Sequence, residues 1–326
     1  MDDFELSFGD FTHVGSKLSR PECVLTTECG DLYTSDSRGG VTHIRADGRI
    51  ELINGKTVDG LPLAANGFAM LPDGSFLIAP LAGGGIYRLW RDGHSELYLE
   101  WADGRRLVYP NFVLLDLQDR IWICCLTQQD RRMLTSYPRS LRDGFIVLVD
   151  SSGARIVAEG IGYPNEVRVD PSGCYLYVNE TMAARLLRYP IRSNGELGAV
   201  ETIIEFDESN LLDGFTLDSN GGAWITALVS NRIWYVARDG RPRMLIEDSH
   251  PEQLARLTTQ QLSSGVERGI LYEECGSRLR NISSISFGGA DLCTVYLGSL
   301  MGSSLLSFRA PISGMRPAHW QFGPFA

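Results

Sequence analysis

Six times along this chain a carboxylate or carboxamide opens a short apolar stretch that passes through a small turn into a second, more hydrophobic stretch. The openings are Glu22, Asn66, Asn111, Asn165, Asp213 and Asn281, and the steps between them are about 44, 45, 54, 48 and 68 residues. A propeller blade of four antiparallel strands recurs every ~40–50 residues. Length alone suggests about two domains for 326 residues. The repeat overrides that prior, because a blade cannot bury its faces alone and must stack around a ring. The expectation is an all-β, six-bladed β-propeller with four-stranded blades around a central channel, spanning residues 1–326 as a single domain.

Within each repeat, period-two or continuous apolar runs alternate with Gly, Asp, Asn and Ser turns, the pattern of short strands. The third repeat predicts strands over 111–117, 120–127, 144–150 and 154–159, with a hairpin turn at 151–153. Third strands of other blades fall at 85–90, 184–190 and 232–237. The sixth repeat has three strands, to about residue 308, and the fourth is expected from the N-terminus around 6–13, closing the ring with the two ends of one chain.

Two segments break the period, about 128–143 and 247–280. The second predicts a helix, with Ser249 and Glu252 at capping-box spacing, Pro251 near the start, and Leu254, Leu257 and Leu262 as an apolar stripe. Strand direction places both insertions at the same end of the channel as the six polar openings, where they can rim a mouth.

The formal charge of −10 and the lack of any Lys/Arg cluster argue against nucleic acid or an anionic membrane as a partner. The N-terminus lacks the basic start and apolar run of a secretory signal, and no stretch approaches a membrane span, so cytoplasmic residence is the default. The seven cysteines lie without CxxC spacing, which indicates neither a disulfide framework nor a zinc site. No Gly-x-Ser-x-Gly elbow occurs, and none of the five histidines sits at a repeat opening. Cys23, beside Glu22, reads as a core cysteine. The Gly83–Gly85 run reads as a turn before a third strand rather than as a phosphate loop.

Residues at equivalent starts of the innermost strands ring the channel mouth. Such residues also cap turns, but six aligned oxygen donors suit a hard divalent cation, which needs neither His nor Cys.

Pro21-Glu22, Asn66-Gly67, Pro164-Asn165, Leu212-Asp213-Gly214 and the run from Phe287 to Tyr296 resemble motifs of the senescence-marker-protein/gluconolactonase/luciferin-regenerating-enzyme family, over roughly residues 18–309. The resemblance implies a six-bladed propeller and hydrolysis of lactones, or in some relatives of phosphotriesters or phosphofluoridates. It further implies one catalytic divalent metal ion held by Glu22, Asn165 and Asp213, with calcium, magnesium, manganese, zinc and iron all open. Asp213 then doubles as general base, and Asn111 contacts the substrate, with Asn66 beside it in the ring.

Sugar-lactone members of the family often carry Arg two residues before the blade-three asparagine and Asp immediately after it. Here Tyr109 and Phe112 stand at those positions, so the expected substrate is a small lactone less polar than gluconolactone. Glu166 is either a solvated strand residue or an extra acid near the metal. Arg131, Arg132 and Tyr137 on the first insertion are within reach of the mouth and could hold a substrate carboxylate. A phosphotriester hydrolase and a non-enzymatic metabolite- or protein-binding propeller are the alternatives; the oligomeric state is open.

Overall fold

The computed structural model describes the whole chain except residues 2, 131–133, 264, 274, 275, 277 and 326. Six four-stranded antiparallel sheets surround a central channel. Their innermost strands are Val24–Thr26, Ala65–Met70, Pro110–Leu115, Pro164–Val169, Leu211–Leu217 and Ile282–Gly288. These strands are almost wholly buried, because side chains on both faces meet neighbouring blades or the channel. The outermost strands alternate or open to solvent, as at Ser95–Leu99. Blade three follows the sequence pattern closely, with strands at Pro110–Leu115, Ile121–Cys125, Gly144–Asp150 and Gly153–Ile161.

The repeat extends to side-chain chemistry. In blades three and five the aspartate at the first turn, Asp116 or Asp218, accepts a hydrogen bond from the indole of Trp122 (2.8 Å) or Trp224 (3.1 Å). Both indoles are fully buried, and this pairing satisfies a donor that would otherwise be stranded in the core.

The ring closes with strand Thr12–Val14 on the edge of Leu305–Arg309, so blade six is made from both ends of the chain. The closing strand is shorter and later than 6–13, because Phe8–Asp10 forms a 3₁₀ turn held by Asp10 on the Ser7 backbone and hydroxyl. After Arg309 the chain crosses the far end of the channel. There Met315 N–H bonds Leu217 O (2.9 Å), Glu28 N–H bonds Trp320 O (2.8 Å), and Trp320 is buried.

The two insertions meet at the opposite end. Ser136–Tyr137 from the first pairs with Val266–Glu267 from the second in a two-stranded sheet, and Arg268 N–H adds a bond to Thr135 O (3.0 Å). The second insertion carries the expected helix, Pro251–Leu262. Its cap differs from the expectation: His250 is the N-cap, with no side-chain cap bond, while the Ser249 hydroxyl turns back to Glu247. Leu257 is buried in a cluster with Leu134, Val266 and Ile270 and Leu262 is 65% exposed, so only part of the stripe is covered. No helix among the described residues is long and apolar enough to cross a membrane.

Candidate active site

Inner strands two to five each slip register against their neighbours where the polar opening stands: between Ala65 and Phe68, Pro110 and Phe112, Pro164 and Val167, and Leu212 and Phe215; the sixth slips between Ile282 and Ile285, just after Asn281. An irregularity of this kind frees a residue from the ladder and re-aims its side chain. Close approach of the inner strands needs glycine beside two of them. A Cβ on Gly67 would lie 2.7 Å from Asn111 O, and one on Gly214 would lie 2.5 Å from Ser283 O.

Five of the six openings, Glu22, Asn66, Asn111, Asn165 and Asp213, line one cavity of about 70 Å³ at the mouth. Asn281 does not. Its carboxamide is fully buried, taking the Val229 N–H (2.6 Å) and donating to Leu271 O (2.6 Å), so it pins the second insertion to blade five.

The three other carboxamides run head to tail along the floor. Asn66 Nδ2 donates to Asn111 Oδ1 (2.7 Å), and Asn111 Nδ2 donates to Asn165 Oδ1 (2.8 Å). Asn165 in turn bonds the Asp213 carboxylate and lies 3.3 Å from Thr181 Oγ1. The chain of amides starts at Arg20, whose Nη1 donates to Asn66 Oδ1 (3.0 Å) and pairs with Glu22.

Asp213 is 3% exposed, and its Oδ2 is buried without a hydrogen-bond partner. Burial, then the neighbouring Glu22 and Glu166, holds its carboxyl well above the usual range, partly offset by Arg20 and Asn165. A buried orphan oxygen among carboxylates fits a site for a cation. Among the described residues no group of three His, Cys, Asp or Glu is placed to hold a metal ion. A divalent ion here would therefore depend on Glu22 and Asp213 together with the carboxamide oxygen of Asn165, a hard-oxygen set.

The walls are apolar and aromatic. Tyr109, Tyr137 and Tyr163 stand around the mouth with Leu126, Leu228 and Leu300, and Tyr137 meets Tyr163 edge-on at 5.4 Å. Leu271 and Tyr272 come from the second insertion. Arg131 and Arg132 lie outside the described residues; Tyr137 is where the sequence placed it.

One expected site residue points elsewhere, and Glu166 takes the second of its two expected places, a buried acid beside Asp213. Phe112 packs below the floor, where Arg168 stacks 4.7 Å from its ring, and it faces a second cavity of about 90 Å³ under the C-terminal segment. Glu166 is not solvated but 5% exposed inside the channel, accepting from Arg168 Nη2 (2.7 Å) and Phe215 N (3.3 Å). Burial pushes its carboxyl up to about 7, against the pull of Arg168. Cys23 is a core residue whose thiol burial pushes up, out of reach of nucleophilic work at neutral pH. Arg20, Tyr163 and Tyr272 were not singled out from sequence. The signal for Arg20 was its place two residues before Glu22, on the far side of Pro21.

Residues 21–253 match the family model described as the SMP-30/Gluconolactonase/LRE-like region. The chain belongs to this family. A 6-deoxy-6-sulfogluconolactonase of Pseudomonas putida is 25% identical over 274 residues, 82% of this chain and 78% of the relative. Among solved structures, a gluconolactonase of Xanthomonas campestris superposes with a TM-score of 0.67 at 18% identity, covering 92% of this chain and 89% of its own. Regucalcin of Agrobacterium tumefaciens, described as a calcium-binding protein, gives 0.66 at 16% identity, covering 95% and 97%. The member of the SMP-30/gluconolactonase/LRE-like family described here thus shares their propeller.

Proposed function

We propose that the chain is a lactone-opening hydrolase, a carboxylic ester hydrolase working with one divalent ion held by Glu22, Asn165 and Asp213. The observation that carries this reading is the convergence of those three residues on one cavity whose floor is polar, whose walls are apolar, and in which Asp213 Oδ2 is buried without a partner. Family membership and the lactonase named among the relatives support it.

When bound, the ion supplies Lewis-acid polarisation of the ring carbonyl. Asp213 Oδ2 takes a proton from the attacking water, whose oxygen bonds the carbonyl carbon. The ring C–O bond then breaks, and the proton passes from Asp213 to the departing oxygen, leaving an open hydroxy acid. The head-to-tail amides fix the rotamers of Asn111 and Asn165, so Asn165 Oδ1 and the Asn111 side chain are positioned before substrate arrives.

Substrate choice follows from the walls. Tyr109 stands where sugar-lactone members often carry Arg, and Tyr137 and Tyr163 complete an aromatic wall, so the ring accepted is a small lactone with apolar or aromatic substituents. The test is metal content of the purified protein, wild type against Asp213→Ala, beside hydrolysis of sugar, alkyl and aromatic lactones and a phosphotriester. Near one ion per chain, lost in the variant together with turnover, and a preference for the apolar lactones, is the expected result. No metal after reconstitution and no lactone opened would overturn the reading.

A further inference from the structure

The floor of the mouth already contains a cation of its own. Arg20 lies on a turn built for it: its φ is +53°, Pro21 follows, and Glu22 N–H bonds back to Arg20 O (2.8 Å). A residue before proline is ordinarily extended, and a non-glycine residue in the left-handed region is unusual, so this conformation is imposed by its surroundings. Ser299 N–H, holding Pro21 O at 2.9 Å, contributes to it. The turn puts the side chains of Arg20 and Glu22 into the same cavity. There the guanidinium pairs with Glu22 and donates to Asn66, while its Nε is buried and finds no acceptor.

We propose that Arg20 is an internal counter-ion that competes with the divalent ion for Glu22 and thereby sets how tightly the ring binds it. The inference rests on the divalent-ion reading above. The argument is one of charge and of lone pairs. An incoming ion meets Glu22 and Asp213, and a guanidinium among them lowers the negative charge of the ring by one. The ion must also take a Glu22 oxygen that Arg20 now holds, so occupancy of the ring and the Arg20–Glu22 pair exclude one another in part. The cost of releasing Arg20 is limited, because its Nε is unsatisfied where it stands. The pairing leaves the apo ring nearer neutrality than two bare carboxylates, and it makes loading with metal responsive to free ion concentration.

The test is calorimetric titration of Mn²⁺ into metal-free wild type, Arg20→Gln and Glu22→Gln, with circular dichroism to establish that each is folded. Arg20→Met, which keeps the apolar stem and removes the charge, serves if Arg20→Gln does not fold. The expected result is weak binding by wild type, binding at least about tenfold tighter by the Arg20 variant, and loss of binding in Glu22→Gln. Equal or weaker binding by a folded Arg20 variant, with wild type still binding, overturns the role given to Arg20 and leaves the metal reading standing. Binding by neither wild type nor variant overturns both.

Discussion

Asn111 Nδ2 donates to Asn165 Oδ1 at 2.8 Å, so a residue opening blade three fixes the rotamer of one opening blade four. Each carboxamide in the floor is oriented by the blade before it. Position around the ring and hydrogen-bond direction are one property, which ties the geometry of the site to the integrity of the propeller.

Replacing Asn111 by Leu should therefore act beyond its own contact. It removes the acceptor of one of the two Asn66 Nδ2 bonds, the other going to the backbone Asn111 O, and removes the donor to Asn165, at a cost of about 1–3 kcal/mol for a group left unsatisfied. Urea unfolding should show that loss, and kcat/KM for a lactone should fall with it. Unchanged stability would mean that the amide chain is not formed in solution.

Asp213→Asn should separate activity from stability. Turnover should fall by about 10²- to 10⁴-fold if Asp213 is the base. The metal-free protein should nevertheless become more heat-stable, because the variant removes a buried carboxylate crowded by Glu22 and Glu166. Thermal melts of both proteins in chelator check the second half.

Asn281→Ala leaves the cavity floor untouched but removes the bonds to Val229 and Leu271. The expected outcome is a loss of about 1–3 kcal/mol in stability with faster proteolytic cleavage in 247–280. Metal affinity should stay within twofold, about 0.4 kcal/mol. A large drop in metal affinity would return Asn281 to the ring of ligands.

The paired substitutions toward a sugar-binding site should behave unequally. Tyr109→Arg lies on the cavity wall and should fold, shifting kcat/KM toward polyol lactones. Phe112→Asp places a carboxylate in the core against Arg168, Phe68 and their neighbours and should cost about 2 kcal/mol or more. Expression and melting of the two single variants decide it.

His319 supplies a pH dependence away from the mouth. It is 8% exposed, burial lowers its pKa to about 4 from 6.5, and its Nε2 has no partner. The unfolded chain therefore binds a proton between those values and the folded protein does not. Stability is complete above pH 6.5 and falls as pH drops toward 4, by up to about 3 kcal/mol from this group. Urea midpoints across that range should fall more steeply for wild type than for His319→Gln, and equal slopes would refute the assignment.

The blade period, the strands of blade three and the end of the channel that bears the insertions were all legible in the sequence, because burial imposes a period of two and turns impose Gly, Asp and Asn. Five ring members followed from their place in the repeat. What could not be read were the places where the ladder breaks. Asn281 stands one residue before its strand, ahead of the slip between Ile282 and Ile285, and its left-handed φ of +61° accompanies a side chain turned into the wall instead of the cavity. Strand alternation sends Phe112 below the floor while Asn111 stays above it. Arg20 precedes a proline, and extended backbone would have sent its side chain elsewhere; its left-handed φ comes from packing on blade six. Likewise Ser249 has the spacing of a cap, but the nearby Glu247 takes its hydroxyl, and a tertiary partner outweighs the local motif.

The seam in blade six joins His13 to Ser304 through a hydrogen bond of 2.8 Å across 291 residues of chain. A nascent chain that has left the ribosome only as far as blade five can hold the earlier sheets but cannot shut the circle, so the mouth acquires its final shape last. The turn that carries Glu22 gains the bond from Ser299 N–H to Pro21 O only once blade six is made. The floor of the mouth is thus a late product of synthesis, completed only after both insertions, which lie earlier in the chain, have emerged.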